Sequence, residues 1–259
     1  CERCQAGLEN TCARQFMPGN DGHGGFADAV KVPGAGLAVL PDDLGGYQLH
    51  ELSVIADAVT TPYQAVLRSG LKQGDVAIVV GVGGIGTYAV QLAAARGARV
   101  IALDIDDAKL QRIGKHGAKQ VINVKGMDAK TARKAVRAAV TALDAPDFGW
   151  TVFEMSGSTA GQELAYALIP PAGKLAVVGF TPKPVSIKLS SLMAFDATAF
   201  GTWGCAPRHY PAAIELVLSG KVNLKPFIRS YPMEQIAELF EAAHAGKLVE
   251  RAILQPQQE

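Results

Sequence analysis

No run of this 259-residue sequence comes near the roughly 20 apolar residues that a membrane-crossing helix needs, and no basic segment followed by an apolar one opens it as a secretory leader would. Neither a membrane partner nor export is therefore expected; a cytoplasmic location is, with its cysteines reduced. Charge of one sign is also scarce, since 25 Lys and Arg against 24 Asp and Glu leave a formal net charge of +1. Nothing supplies the basic field that nucleic-acid binding draws on. There is no internal repeat and no low-complexity segment. An initiating methionine is missing too: the first residue, Cys1, lies inside a cysteine motif, so the sequence reads as a fragment that begins mid-domain. What is present, 49% hydrophobic and 19% charged residues, suits a soluble globular chain. Its length fits about two domains at the usual ~100–200 residues each.

The chain is organised around Asp75–Gly86, DVAIVVGVGGIG. Val76–Val80 is β-branched apart from one alanine, the composition of a strand buried on both faces. It breaks into Gly81-x-Gly83-Gly84-Ile85-Gly86, a G-x-G-x-x-G spacing that a chain with 28 glycines can also reach by chance. Context separates signal from chance. Thr87–Arg96 carries Ala and Leu at helical spacing, Arg99–Leu103 is a second apolar strand, and Asp104 ends it, about 20 residues past the glycines. Strand, glycine turn, helix, strand and acid together predict a dinucleotide-binding unit. Gly81 permits the tight turn, Gly83 has no side chain to hold a pyrophosphate off the backbone, and Gly86 lets the helix pack on the sheet. The helix N-terminus, with unpaired N–H groups and partial positive charge, would receive the phosphates. Asp104 can accept from both ribose hydroxyls and repel a 2′-phosphate, which predicts NAD rather than NADP.

Ahead of this unit, Cys1, Cys4 and Cys12 form a C-x2-C-x7-C cluster in a polar loop. Crowded thiols in a reducing compartment suit zinc, which takes four tetrahedral ligands, three of which are here; a disulfide or unrelated thiols are the alternatives. Residues 17–25 read as an exposed turn in which His23 is a solvated side chain. Residues 26–32 and 37–40 alternate as two strands, and residues 50–58 and 61–68 read as helices. Asp57 is an acid in an apolar segment, where burial is costly without a partner; a helix-capping role is the plain reading.

Past the glycines, strand and helix alternate: helix 107–115, strand 120–124, a basic-faced helix 128–143, strand 152–155, helix 161–168 and strand 174–180. Such βα repetition predicts an α/β fold with a parallel, doubly wound Rossmann sheet, whose ligands sit at the carboxyl ends of the strands. Gly81, Asp104, Ser156 and Gly179 all fall at such ends. After Pro184 the rhythm changes to short strands at 185–189, 198–203, 227–230 and 250–254, with helices at 207–218 and 232–245. Cys205 reads as a small buried hydrophobe, and Trp203 and Tyr210 as packing residues.

On these residues the chain resembles the zinc-containing medium-chain alcohol dehydrogenases over essentially its whole length. The likeness is carried by the cysteine lobe, Gly24-Gly25-Phe26-Ala27, Thr61-Pro62-Tyr63-Gln64-Ala65, the glycine loop and Glu250-Arg251-Ala252-Ile253-Leu254. It implies a partial GroES-like catalytic domain with a zinc lobe at 1–58, an NAD-binding domain at 59–201 and a return to the catalytic domain at 202–259. Cys1, Cys4 and Cys12 would then hold a structural zinc. Asp57, at a position six before Tyr63 that is usually cysteine, would be a ligand of a catalytic zinc. Lys109 would be a second ribose contact, and Arg251 would reach the cofactor phosphates. Residues 185–189 would form an edge strand pairing across a two-fold axis, giving a homodimer or homotetramer. A narrower likeness, in residues 17–21, 57–65, 192–197 and 201–207, is to a branch that oxidises ring alcohols carried on coenzyme A; it implies a small-molecule substrate that is an acyl-CoA thioester.

Overall fold

In a computed structural model, residues 1–256 are described, and the chain divides into two units, 1–60 with 203–259 and 61–202. The first unit opens with a one-turn helix α1 (Glu2–Gln5) inside the cysteine lobe. A long, largely irregular stretch then leads to a 3-10 turn at Leu49–Val54 and a wide π-type turn at Ile55–Val59. A continuous helix is expected over 50–58; instead Asp57 sits at φ +92°, left-handed backbone that an L-residue rarely adopts, so the helical path is broken there. The two strands expected at 26–32 and 37–40 are absent: Val39 is 92% exposed, and alternation without a neighbouring strand leaves nothing to pair the backbone.

The second unit is the dinucleotide-type sheet. Helix α2 (Thr60–Ser69) leads to β1 (Val76–Val80), α3 (Gly86–Ala95), β2 (Arg99–Asp104), α4 (Asp107–Gly114), β3 (Ala118–Asn123), α5 (Ala129–Ala142), β4 (Thr151–Glu154), α6 (Thr159–Ala167), β5 (Lys174–Val177), α7 (Ser190–Ala194) and β6 (Thr198–Gly201). The six strands lie in the order β3-β2-β1-β4-β5-β6, every pair parallel. The order reverses between β1 and β4, and a crevice opens there beyond the carboxyl ends of the strands. The pattern predicted for β1 is explained by its burial, since every residue of Val76–Val80 is buried. Ile78, Ile101, Leu103, Val152 and Trp150 join Val136 and Val140 of α5 in one core. Each such side chain withdraws roughly 1.5–3 kcal/mol worth of apolar surface from water. The caps are local: Asp106 accepts from the N–H groups of Ala108 and Lys109, Asp128 from Thr131, and Ser158 from Gly161.

Residues 185–189 form no strand; they are held by α6, with the Tyr166 hydroxyl donating to the Lys188 and Leu189 carbonyls and Ser186 N–H donating to Glu163. The first unit then resumes with α8 (Tyr210–Leu218), β7 (Ile228–Pro232), α9 (Ile236–His244) and β8 (Arg251–Gln255); β7 and β8 pair parallel. Among the described residues no helix is long and apolar enough to cross a membrane.

Candidate functional site

The turn after β1 is built on near-contacts that only glycine tolerates. Gly81 has φ +87°, and a Cβ there would stand 2.7 Å from the Ser156 Cα. A Cβ on Gly86 would stand 1.8 Å from the Gly81 carbonyl oxygen. Gly83 differs: its Cβ position meets nothing within 4 Å, so the absence of a side chain there serves no packing purpose inside the protein. Asp104, at the end of β2, is tied to this turn. Its Oδ2 accepts the Val82 N–H at 2.7 Å, and its Oδ1 accepts from Ile105 N–H at 2.8 Å and Asp106 N–H at 3.1 Å.

These residues face a cavity of about 780 Å³ within the second unit, inside the range of ~300–1,000 Å³ typical of small-molecule sites. Of the residues singled out from sequence, Gly81, Gly83, Gly84, Ile85, Asp104, Lys109 and Ser156 line it. Gly86 is buried behind the turn. Gly179 packs elsewhere: a Cβ on it would meet Gly157 N at 2.3 Å and Glu154 Oε2 at 2.6 Å. Sequence reasoning passed over Ile105 and Met127, exposed apolar side chains that line the same cavity. The available signal was the position of Ile105, directly after the acid. A cradle of free N–H groups at the start of α3, an acid, a lysine and an apolar rim fits a dinucleotide.

In the other unit the cysteine lobe is formed. Cys1 Sγ lies 3.6 Å from Cys4 Sγ and 3.8 Å from Cys12 Sγ, and all three thiols lie within 4.8 Å of one another. Thiolates at ~2.3 Å from a tetrahedral zinc stand about 3.8 Å apart, so the three residues fit that ion. The Cys12 thiol is held below its ordinary pKa, first by the Arg14 N–H donated to its sulfur at 3.3 Å and then by Cys4, which favours the thiolate a metal takes. The lobe is anchored by Arg208, which donates to the Gly7 carbonyl and pairs with Glu9, and by Asn10 donating to the Trp203 carbonyl at 2.8 Å. Removing one of four ligands from a site worth ~10–16 kcal/mol takes away roughly 3 kcal/mol. Cys12→Ser is accordingly expected to weaken zinc binding about 100-fold against a competing chelator; unchanged affinity would show that this cluster is not the site.

Asp57 and Arg251, assigned to different tasks from sequence, meet: Arg251 Nη2 lies 3.3 Å from Asp57 Oδ2, with the side chains 34% and 56% exposed. An ion pair so open to water contributes little stability. The Asp57 N–H donates to Thr60 Oγ1 at 3.0 Å. Among the described residues the cysteine triplet is the one group of three or more His, Cys, Asp and Glu side chains converging as metal ligands, and Asp57 is not in it. Asp57 can supply one ligand only, and no set of further ligands converges on it among the described residues, so no chemical step is derived through a metal there. His23 is exposed in its loop. Cys205 is pushed up to about 12 by burial, and Tyr210 is raised by the same cause, so neither ionises at neutral pH.

The sequence model of a family described as "Zinc-binding dehydrogenase" matches residues 84–219. An alcohol dehydrogenase from Geobacillus stearothermophilus is 30% identical over 254 residues, which are 98% of this chain and 71% of that protein. A sorbitol dehydrogenase from Bacillus subtilis is 28% identical, over 94% of this chain and 67% of that protein. Among solved structures, the alcohol dehydrogenase of the archaeon Aeropyrum pernix superposes with a TM-score of 0.87 at 26% identity, covering 99% of this chain and 72% of that one.

Proposed function

This chain belongs to the zinc-binding medium-chain alcohol dehydrogenase family, and on that premise we propose that it oxidises a secondary ring alcohol to a ketone with NAD, the substrate being 6-hydroxycyclohex-1-ene-1-carbonyl-CoA in anaerobic aromatic degradation. NAD and zinc are the groups expected of a member. The observation that carries the cofactor part is the bond from Val82 N–H to Asp104, which fixes the acid beside the open Gly83 backbone at the cavity wall. The N–H groups at the start of α3 would hold the pyrophosphate, Asp104 beside Lys109 the adenosine ribose, and Ile105 and Met127 the adenine. Bound NAD supplies the hydride acceptor. What the chain does is hold the dinucleotide in one orientation and keep its adenosine half from solvent. By family resemblance Arg251 would reach the phosphates, Ser156 would border the cofactor, and Asp57 would offer one oxygen ligand to a catalytic zinc; Gly179, given the same bordering role by its place at a strand end, does not line the cavity. The cysteine lobe holds the structural zinc, in a reducing compartment such as the cytoplasm; all four cysteines are free thiols.

The substrate part rests on residues 17–21, 57–65, 192–197 and 201–207 and on their likeness to 6-hydroxycyclohex-1-ene-1-carbonyl-CoA dehydrogenase. Reduction of NAD by the full-length zinc-loaded protein, with the cyclohexenoyl-CoA alcohol compared against non-CoA alcohols and polyols, tests it. Turnover confined to the CoA thioester supports the reading, and turnover confined to a polyol or simple alcohol replaces it with a second one, which the alcohol and sorbitol dehydrogenase relatives favour. We further propose at least a dimer. Among the described residues β6 pairs only with β5, leaving an open edge, and Leu189 and Met193 nearby are 68% and 78% exposed. Light scattering of the full-length protein at micromolar concentration reads the mass, and a monomer there rules the dimer out.

A further inference from the structure

Glu154 is the last residue of β4, fully buried, and it does not line the cavity. A carboxylate inside a sheet costs free energy that valine or alanine at the same place would not. Its Oε1 receives three donors: the Ser156 N–H at 2.8 Å, the Ser156 hydroxyl at 2.6 Å and the Gly157 N–H at 3.1 Å. The Ser156 oxygen in turn accepts the Ser158 N–H at 3.2 Å and lies 3.1 Å from the Ser158 hydroxyl, which accepts the Gly161 N–H at 3.0 Å. One buried carboxyl group therefore organises a relay from the end of β4 to the first turn of α6. That relay is a wall of the dinucleotide cavity, because Ser156, Ser158 and Gly161 all line it. It also abuts the glycine turn, since Val80 pairs with Glu154 and the Gly81 backbone comes so near Ser156 that a Cβ would not fit. Oε2 has no hydrogen-bond partner among the described residues and lies where a Cβ on Gly179 would come within 2.6 Å, which accounts for the glycine there.

We propose that Glu154 is a positioning residue for cofactor binding: by its reach, rather than by its charge at the cavity, it fixes residues 156–158 at the distance from the glycine turn that a dinucleotide requires. This rests on the NAD reading above and adds to it a residue that touches no cofactor. Three donors converge on one oxygen, so its position sets theirs and the turn is held at three points.

Reach and charge separate experimentally. Glu154→Gln keeps the length and an acceptor oxygen but loses the charge; Glu154→Asp keeps the charge and withdraws the carboxylate by about 1.5 Å, one C–C bond. NADH titration by fluorescence, and KM for NAD with an alcohol that the wild type turns over, are read on the full-length zinc-loaded protein. The expected result is at least tenfold weaker NADH binding and a matching rise in KM for NAD in Glu154→Asp, values within threefold of wild type in Glu154→Gln, and kcat at saturating NAD and KM for the alcohol within threefold in both. Should Glu154→Asp not fold, Ser156→Ala breaks the relay from the other side and is expected to weaken NADH binding three- to tenfold. Glu154→Asp within threefold of wild type overturns the proposal, as does Glu154→Gln losing as much as Glu154→Asp, or Ser156→Ala without effect. A wild type with no saturable NADH binding overturns the cofactor reading beneath it instead.

Discussion

Gly83→Val is expected to fold as the wild type does and to lose NADH binding by 100-fold or more, whereas Gly86→Ala, a smaller change three residues on, is expected to damage the fold itself. The contrast follows from what each glycine faces. A Cβ on Gly83 meets nothing within 4 Å, and the residue lines the cavity, so added carbons stand where a pyrophosphate must touch the backbone. Losing that approach removes about 3 kcal/mol of binding for a 100-fold change. A Cβ on Gly86 would lie 1.8 Å from the Gly81 carbonyl oxygen and 3.1 Å from the Met155 Cβ. Relieving it requires α3 to move off the sheet, at a cost of about 3 kcal/mol or more. In a chain of this size that lowers Tm by roughly 6–12 °C. Thermal melts and NADH titrations on both variants read the two effects separately. A Gly83→Val protein that binds NADH normally would mean the cavity holds something other than a dinucleotide at this turn.

Much of the fold was legible because the second unit obeys local rules. Val76–Val80 reads as a doubly covered strand from composition alone, and the structure buries all five residues. The parallel order follows from the helix between each pair of successive strands, the crossover that parallel neighbours need and a hairpin cannot supply. What failed to read correctly failed for want of tertiary information. Residues 26–32 and 37–40 alternate well, but alternation describes one side of a pairing, and the described residues supply no partner strand. Residues 50–58 have helical spacing, yet Asp57 adopts a left-handed backbone that no propensity scale assigns to aspartate inside a helix.

The candidate site divides in the same way. Glycines, acid and lysine are recognisable by spacing, and they share one cavity; the cysteine cluster likewise closes to metal-like distances as its spacing suggests. Gly179 falls at a strand end, as the general rule places ligand residues, but its lack of a side chain answers to Glu154 and Gly157 rather than to the cavity. Glu154 itself was invisible, because an acid at the end of a short apolar run looks like a surface residue until its three donors are seen. Ile105 and Met127 were invisible for the opposite reason: apolar residues next to strand ends read as core, and here they are exposed.

The choice of cofactor is where the geometry makes its sharpest demand. Both carboxylate oxygens of Asp104 already accept backbone N–H groups, Val82 on one side and Ile105 with Asp106 on the other. Asparagine at 104 has nearly the same shape but must turn its NH2 toward one of those donors, and where that is the buried Val82 N–H the lost partner costs about 1–3 kcal/mol. Ribose hydroxyls that donated to a charged acceptor now meet a neutral one, weakening NADH by roughly 10- to 100-fold. A 2′-phosphate gains, because the repulsion of a carboxylate about 4 Å away, roughly 4 kcal/mol at an effective dielectric of ~20, is removed. Asp104→Asn should therefore lower the preference for NADH over NADPH by about 10²–10³-fold, with part of the change arising from tighter NADPH binding. Parallel titrations with the two nucleotides at fixed ionic strength measure it. If the wild type holds NADPH as well as NADH, or the ratio survives the substitution, Asp104 does not lie at the ribose.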